Sequence, residues 1–274
     1  MSFQDLENKV IFSLKNGTEK PAIKAVGVKF FPKGSDIPKE KDSNAEDIST
    51  PWCGAVKLAS DGDFIVITKK NIGCPAAAIA LGLVDPDDPE PLEGSRKYTS
   101  LMKDAASPKD FTDGYVYACR ASGHMEFALF GQEDCGRYKT LGASLKAVSG
   151  MTGIGKEAMD AVAAFPSSCT DYEPDVVVMG VTPKQAMRMV QGYAFMNGER
   201  VEFNTIGIRG VCADVTAYPF LEQKMNASFF CLGARALGGW EEDRLALGMP
   251  YHDFKIMAEG IDESQNGFPY KLFP

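Results

Sequence analysis

The chain alternates short apolar runs with amphipathic stretches, and turn residues separate the two kinds of segment. Apolar or β-branched runs bounded by Gly, Pro, Asn or Asp predict strands. PDVVVMGV at 174–181 is the clearest of them, and its continuous apolar run is typical of a strand in a parallel sheet. Strands are predicted on this basis at 22–31, 63–68, 114–121, 124–131, 174–181, 200–210 and 226–230.

Stretches with helical periodicity lie between these strands. Pro51 and Pro183 suit the first position of a helix, Thr182 is a suitable N-cap, and Asn197-Gly198 is a typical helix end. In the helix that begins at Pro183, the i, i+3, i+4 rhythm predicts which side chains are buried. They are Ala186, Met187, Val190 and either Tyr193 or Ala194. Helices are predicted at 52–60, 74–82, 135–150, 155–165, 183–196, 212–224 (a broken helix) and 231–239.

The alternation of strands and helices predicts an α/β fold, in which a compact mixed sheet carries flanking helices. A chain of 274 residues is long enough to form one large core, and we expect a single domain over residues 1–274. The segment DPDDPEPLEG at 85–94 cannot continue a helix, because Pro and Asp interrupt it repeatedly. A surface insertion is therefore predicted around 85–113.

Two pairs of cysteines stand in matched settings. Cys53 and Cys74 are separated by 20 residues, Cys212 and Cys231 by 18, and the second cysteine of each pair precedes a run that contains Ala-Leu-Gly. In both regions the predicted order is a helix that carries a cysteine, a strand, and a cysteine at the start of a helix. This order predicts an internal helix–strand–Cys–helix repeat about a pseudo-two-fold axis, with halves around 20–84 and 175–250.

The paired cysteines are candidate metal ligands. A cysteine in the first turn of a helix is favoured as a thiolate by unpaired N–H groups and by the helix dipole. If the two halves face each other, the four thiolates suit a [4Fe–4S] or [2Fe–2S] cluster. Structural zinc fits less well, because the sequence has no closely spaced C-x2-4-C knuckle. The alternative is that each cysteine is a small buried apolar side chain. This structural role is expected for the other three cysteines, Cys119, Cys135 and Cys169.

Arg235 is a candidate substrate-binding residue. It follows Cys231 by four residues and so lies about one turn along the same predicted helix. We predict that it binds an anionic substrate or the charge of a cluster. The alternative is a surface ion pair with the glutamate at position 241 or 242. Asp214 is a weaker candidate for the same role.

Two other motifs carry little chemistry. GMTGIGK at 150–156 nearly matches a phosphate-binding loop, but Glu157 stands where Ser or Thr should bind magnesium. A turn between two helices is expected there instead. His124 and His252 are the only histidines, which excludes a metal centre built from several histidines.

The charge of the chain limits its partners. The net charge is −8 at pH 7, whereas binding to nucleic acid or to an anionic membrane requires a basic surface. The N-terminal residues lack the basic start and apolar core of a signal peptide, and no apolar run approaches the length of a membrane span. We therefore expect a cytoplasmic protein whose partner is a small, anionic molecule.

Several segments together resemble the DUF169 family of uncharacterised bacterial and archaeal proteins. They are AIKAVGVKFF, WCGAVKLA, CPAAAIALG, PDVVVMGVTPKQAMRMVQGYAFMNG, VCADVTAYPFLEQ and FFCLGARALGGWEEDRLALGMP. The resemblance covers most of the chain. Because no activity is established for this family, the resemblance implies kinship without a reaction.

Three functions are compatible with these residues. The first is an iron–sulfur protein, with a cluster held by Cys53, Cys74, Cys212 and Cys231 between the two repeats, for redox or small-anion chemistry. The second is a cofactor-free protein that binds a small molecule or anion at helix N-termini. The third is an enzyme in which Cys74 or Cys231 is the attacking thiolate. Whether the chain is an enzyme stays open.

Overall fold

A computed structural model describes residues 1–15, 22, 24–38, 49–85, 139, 143, 146–147, 150–265 and 267. The helices in these residues are α1 (Phe3–Lys15), α2 (Trp52–Asp61), α3 (Pro75–Ala80), α4 (Pro183–Asn197), α5 (Tyr218–Glu222), α6 (Leu232–Leu237), α7 (Tyr251–Glu263) and one π-helix (Gly210–Ala217). The strands are β1 (Val26–Pro32), β2 (Ile65–Thr68), β3 (Met159–Pro166), β4 (Val176–Val181), β5 (Asn226–Ser228) and β6 (Leu245–Pro250). Several sequence predictions lie outside the described residues. They concern the strands at 114–121 and 124–131, most of the helix at 135–150, nearly all of the insertion at 85–113, and Cys119, Cys135 and His124.

The six strands form one sheet in the order β2-β3-β1-β4-β6-β5. β4 pairs antiparallel with β1, and also with β6, where Val176 lies opposite Pro250 and Val181 opposite Leu245. β5 pairs antiparallel with the other side of β6. The predicted mixed α/β architecture is thereby confirmed, with strands and helices in one fold.

The prediction that β4 is a parallel-type strand is wrong, because both of its neighbours are antiparallel. All six of its residues are buried, and helices α4 and α7 and the π-helix pack against it. A strand that is covered in this way loses the alternation of an exposed antiparallel strand. The continuous apolar run therefore reports burial and not strand direction.

The chain divides into two compact units. The first contains Met1–Phe30, Cys53–Ile65 and Ala163–Pro274, and the second contains Phe31–Trp52 and Val66–Val162. The chain passes from one unit to the other within α2, β1, β2 and β3. The single domain predicted for residues 1–274 stays a prediction.

Close helix packing forms much of the first unit. α7 packs against α4 and α1, and Phe3 places its ring edge-on to Tyr251 and Phe254, with centroids 5.8 and 5.7 Å away. Where α4 meets α7, a methyl group on Gly260 would overlap the carbonyl oxygen of Gly192. Only hydrogen side chains permit the two backbones to approach so closely.

In the second unit, the segment that precedes β3 is hydrogen-bonded to the residues at the end of α3 and just after it. Ile154 donates its N–H to the Ala80 carbonyl, and Met159 to that of Gly82, each across 3.0 Å. Glu157 lies 3.0 Å from Lys33 and 3.7 Å from Lys69. The glycine-rich segment 150–156, predicted to join two helices, leads into a strand instead.

The caps predicted for α4 are confirmed, and so is the predicted burial of Ala186, whereas the predicted burial of Met187 is wrong. The Thr182 hydroxyl accepts the N–H of Gln185, and Gly198 ends the helix with φ 71°. Met187 is exposed. The buried residues are Gln185, Ala186, Arg188, Met189 and Gly192. Gln185 and Arg188 are polar, and a hydrophobicity pattern does not predict that polar residues are buried. Arg188 donates hydrogen bonds to the Ile261 carbonyl and the Ser264 hydroxyl, at 2.8 and 2.7 Å.

Two further predicted elements are wrong. The helix predicted at 155–165 is strand β3, in which Ala161–Phe165 are all buried. The strand predicted at 200–210 is irregular backbone that leads into the π-helix. By contrast, the broken helix predicted at 212–224 is confirmed, since the π-helix changes to α5 at Tyr218.

Candidate functional site

The two cysteine regions have the same local order of elements. α2 carries Cys53 and is followed by β2, and Cys74 is the N-cap of α3. The π-helix carries Cys212 and is followed by α5 and β5, and Cys231 is the N-cap of α6. Both N-cap cysteines have extended backbone, with φ −120° and −108°, and neither side chain caps its helix. The pseudo-two-fold relation between the regions stays a prediction.

Each cysteine region contains a glycine at which two backbone segments approach each other closely. Gly73 donates its N–H to the Thr50 carbonyl oxygen at 2.8 Å, and a Cβ on it would lie 2.9 Å from the carbonyl carbon of that residue. In the other region a Cβ on Gly210 would overlap the Ser228 hydroxyl and lie 3.1 Å from the backbone of Phe230. Each contact joins the backbone just before the first cysteine of a pair to the backbone just before the second.

Cys53 and Cys231 lie at opposite ends of α6. Cys231 is the N-cap of this helix, and Gly238, its C-cap, is so placed that a Cβ there would lie 3.1 Å from the Cys53 sulfur. The seven residue steps between positions 231 and 238 correspond to about 10 Å of helix. The Cys212 thiol is buried and donates to the Arg209 carbonyl oxygen at 3.5 Å.

No group of three or more His, Cys, Asp or Glu side chains in the described part of the chain is placed to hold a metal ion. Cys74 belongs to the second unit and the other three paired cysteines to the first. The four-thiolate site and its iron–sulfur cluster stay predictions. Cys169 is half-buried and donates its backbone N–H to the Pro166 carbonyl in the turn after β3.

Arg235 binds backbone carbonyl groups. Its guanidinium donates to the carbonyl oxygens of Phe229 and Arg244, at 2.9 Å each, and to that of Glu241. It also lies 4.7 Å from the centroid of the Phe230 ring, which stacks on Trp240. The predicted alternative was an ion pair with a glutamate side chain at 241 or 242, whereas Arg235 bonds to the backbone carbonyl of Glu241. These contacts favour a structural role, and the substrate-binding role of Arg235 stays a prediction.

The π-helix is the most unusual backbone of the first unit. All eight of its residues are buried. The Arg209 carbonyl accepts the N–H of Ala213 at 2.8 Å and that of Asp214 at 3.4 Å, and the Thr216 hydroxyl donates to the Val211 carbonyl at 2.7 Å. Bonds to the fifth residue widen the helix, and such turns occur frequently at functional sites.

Arg209, the N-cap of the π-helix, combines backbone strain with an unpaired buried charge. Its φ of 51° and ψ of 33° are left-handed, a conformation that costs about 1–3 kcal/mol for a residue with a side chain. Only 6% of the residue is exposed, and Nε and Nη2 have no hydrogen-bond partner. These two nitrogens form one edge of the planar guanidinium, the edge on which arginine holds an oxyanion by two parallel hydrogen bonds.

A buried carboxyl group lies one turn further along the π-helix. Asp214 Oδ2 accepts the hydroxyl of Thr205 at 2.6 Å. Burial raises the pKa of the Asp214 carboxyl to about 7, although hydrogen bonds from Thr205 and Ser228 lower it. In the described residues no ion pair joins this carboxyl to Arg209. The two buried groups therefore do not neutralise each other.

Asn226 fixes the segment before the π-helix to strand β5. Its side-chain oxygen accepts the N–H of Asn204, and its side-chain nitrogen donates to the carbonyls of Asn204 and Asp214, all at 2.8 Å. Asn226 is fully buried. The position of Arg209 is thus set by bonds on both sides of it.

Sequence reasoning missed Arg209. It lies between two glycines that are close in sequence, in GIRG at 207–210, and this is the signal that could have found it. Gly207 has φ 75°, and Gly210 lies against Phe230. Glycines on both sides of an arginine are typical of backbone with unusual φ values or close contacts.

The fold and this site define a mixed α/β protein with a buried, unpaired arginine at the head of a π-helix. The chain belongs to the DUF169 family, described as uncharacterised ArCR, whose model matches residues 18–260. It is similar to an uncharacterized protein of Methanocaldococcus jannaschii, with 28% identity over 127 residues. The match covers 46% of this chain and 54% of that protein, so the chain spans about half the length of this curated relative. No solved structure matches the chain.

None of the helices in the described residues is both long enough and apolar enough to cross a membrane.

Proposed function

We propose that this chain is a small-molecule-binding protein that holds an anionic ligand at Arg209. The observation that carries the proposal is the guanidinium edge, buried and without a hydrogen-bond partner. An uncompensated buried charge costs about 3–5 kcal/mol when its partner is removed. A ligand oxyanion would supply the missing partner, and the cost is then recovered on binding.

The surroundings of Arg209 support an anion in particular. Arg209 stands at the N-terminus of an eight-residue helix, where free N–H groups and the helix dipole favour negative charge. The strands that pack against this helix, β4, β5 and β6, contain no charged residue. This proposal is the second of the functions compatible with the sequence, at a helix start different from Cys74 and Cys231.

The experiment compares Arg209→Met with Arg200→Met, an exposed arginine in the same segment. Thermal unfolding is measured in sodium chloride, sodium acetate and sodium phosphate of equal ionic strength. We expect acetate or phosphate to raise the Tm of the natural protein and of Arg200→Met, and not that of Arg209→Met. We also expect Arg209→Met without ligand to be more stable than the natural protein by about 1–3 kcal/mol, because a buried unpaired donor is removed. If these anions raised the Tm of Arg209→Met as much as that of the natural protein, the proposal would be contradicted.

The iron–sulfur cluster is the second candidate. It is supported by the position of Cys74 and Cys231, each of which is the N-cap of a helix and has extended backbone. The position of Cys53 at the far end of α6 does not support it. Iron and sulfide analysis after purification without oxygen tests it, with Cys53→Ser expected to lose the iron and Cys169→Ser to keep it. A nucleophilic thiolate at Cys74 or Cys231 and a cytoplasmic location stay predictions.

We also propose that the two halves of the fold arose by duplication. β1, β2 and β3 stand in the sheet in the order β2-β3-β1, and β4, β5 and β6 stand in the equivalent order β5-β6-β4. The cysteine regions occupy the equivalent place in each half, around β2 and around β5. In this proposal β3 is the third strand of the first half. The first half then extends past the boundary predicted near residue 84, and the long insertion lies within it.

A further inference from the structure

The anion-binding function leaves the kind of anion open. Resting on that function, we infer that the ligand is an organic monocarboxylate with an apolar body, whose carboxylate is held by the free edge of Arg209. Three observations carry this inference. They are the shape of the free edge, the charge around the π-helix, and the exposed apolar side chains next to it.

The first observation is the geometry of the free donors. Nε and Nη2 of Arg209 are the two unpartnered nitrogens, and they lie side by side in the guanidinium plane. Two parallel N–H donors match the two oxygens of a carboxylate, and they also match two oxygens of a phosphoryl group. The edge therefore selects an oxyanion that presents two oxygens side by side, and it does not by itself distinguish a carboxylate from a phosphoryl group.

The second observation is the charge balance. The residues of the π-helix include one ionisable carboxyl, Asp214, and the neighbouring α5 adds only the exposed Glu222. The other two arginines that follow Arg209 in the chain are held elsewhere: Arg235 by three carbonyls, and Arg244 by Glu241 and the Gly180 carbonyl. One buried cation neutralises one negative charge. A phosphate dianion would leave a second buried charge uncompensated, which is costly.

The third observation concerns apolar side chains in the two segments that contact the π-helix. Phe203 and Ile206 are exposed in the segment that Thr205 fixes to Asp214. Phe229, which lies between the two residues that contact Gly210, and Leu232, which lies just after them, are also exposed. Exposed apolar groups concentrated beside a polar anchor are typical of a surface that binds an organic ligand.

The test uses four probes: acetate, hexanoate, inorganic phosphate and hexyl phosphate. Their dissociation constants are measured by calorimetry with the natural protein, Arg209→Met and Arg200→Met. We expect hexanoate to bind at least ten times more tightly than acetate, because methylene groups are removed from water. We expect hexanoate to bind at least ten times more tightly than hexyl phosphate as well. Both preferences should persist in Arg200→Met and disappear in Arg209→Met.

A second pair of variants tests the apolar body without touching Arg209. Phe229 and Phe12, the latter on α1, are each 66% exposed, so serine at either position should leave the fold intact. We expect Phe229→Ser to weaken hexanoate at least threefold and to leave acetate unchanged, while Phe12→Ser changes neither.

The outcomes separate the inference from the function on which it rests. Tighter, Arg209-dependent binding of either phosphate would overturn the monocarboxylate and keep the anion site. Equal binding of acetate and hexanoate would overturn the apolar body. Binding that is the same in Arg209→Met as in the natural protein, or no binding of any probe, would overturn the anion-binding function and the inference together.

Discussion

The indole N–H of Trp240 donates a hydrogen bond to the Cys53 carbonyl oxygen across 2.9 Å, and both residues are buried. This bond holds the beginning of α2 at the end of α6. The Trp240 ring also stacks on the Phe230 ring, with centroids 4.6 Å apart, and the Arg235 guanidinium lies 4.7 Å from the Phe230 centroid. The cysteine of one helix and the arginine of another are therefore parts of one packed structure.

Replacement of Trp240 by Phe should destabilise the protein. The variant removes the indole hydrogen bond to the Cys53 carbonyl oxygen, and the loss of such a bond costs about 0.5–1.5 kcal/mol net. Urea unfolding followed by circular dichroism measures the loss. Phe229→Ser, which alters an exposed side chain nearby in sequence, should change the free energy of unfolding by less than about 0.5 kcal/mol. Equal effects of the two variants would show that the indole bond contributes nothing.

Asp214 should make stability depend on pH between about 4 and 7. Its pKa is about 7 in the folded protein and 3.8 in the reference state, so the unfolded chain ionises first as the pH rises. The contribution of Asp214 to the free energy of unfolding should therefore be greatest below pH 4 and fall towards pH 7, by roughly 4 kcal/mol at most. Urea midpoints across this range measure the slope.

The control for this pH effect is a pair of isosteric variants. Asp214→Asn should make the fall smaller, because position 214 then has no carboxyl to ionise, while burial still raises the pKa of Asp253. The same change at Asp36, which is exposed, should leave it in place. A fall that persists unchanged in Asp214→Asn would assign the effect to another group.

Gly210→Ala should be strongly destabilising. A Cβ at this position would overlap the Ser228 hydroxyl and press on the Phe230 backbone, and backbone cannot move aside cheaply. We expect a loss of about 1–3 kcal/mol, as for overpacked cores, together with weaker anion binding at Arg209. Gly155→Ala is the matched control, since its Cβ would meet nothing closer than 4.0 Å. Thermal unfolding of the two variants is compared. A loss of stability in Gly210→Ala alone would show that the close contact is responsible, whereas an equal loss in both would show a general effect of replacing glycine by alanine.

The five described cysteines should differ in their rates of alkylation. Cys53 and Cys212 are buried, whereas Cys74, Cys169 and Cys231 are partly exposed, and only accessible thiolates react. Iodoacetamide treatment of the native protein, with each site quantified by mass spectrometry, should modify the second group first. Protection of Cys53, Cys74, Cys212 and Cys231 together, released by an iron chelator, would instead support the cluster.

The helix starts at Cys74 and Cys231 could be predicted because their signals are local. Pro75 fits the first turn after Cys74, and Asn71 and Gly73 precede that cysteine, while Cys231 directly follows the predicted strand at 226–230. β3 could not be predicted in this way. Its MDAVAAF run has the alanine content of a helix, and its strand state depends on pairing within the sheet. Tertiary contacts outweigh local preference there.

Arg209 shows why the candidate site itself was not predicted. An arginine is expected at the surface unless a partner for it is evident. Its burial and left-handed backbone follow from the contact of Gly210 with Phe230, twenty residues away, and from the bonds of Asn226 to Asn204. No short window of sequence contains these partners. The spacing of the cysteines is a property of the sequence itself, whereas the burial of Arg209 depends on residues that are distant along the chain.

The contact between Gly192 and Gly260 has a consequence for comparisons within the family. Since no side chain fits at either position while α4 and α7 touch, a relative with a larger residue at one of them must hold these helices further apart. Arg188 joins the same helices through hydrogen bonds to Ile261 and Ser264. If the helices moved apart, a side chain of the same length could no longer make these bonds. The two glycines and this arginine should therefore vary as a set between relatives, and a chain that departs at only one of the three would mark a differently packed branch of the family.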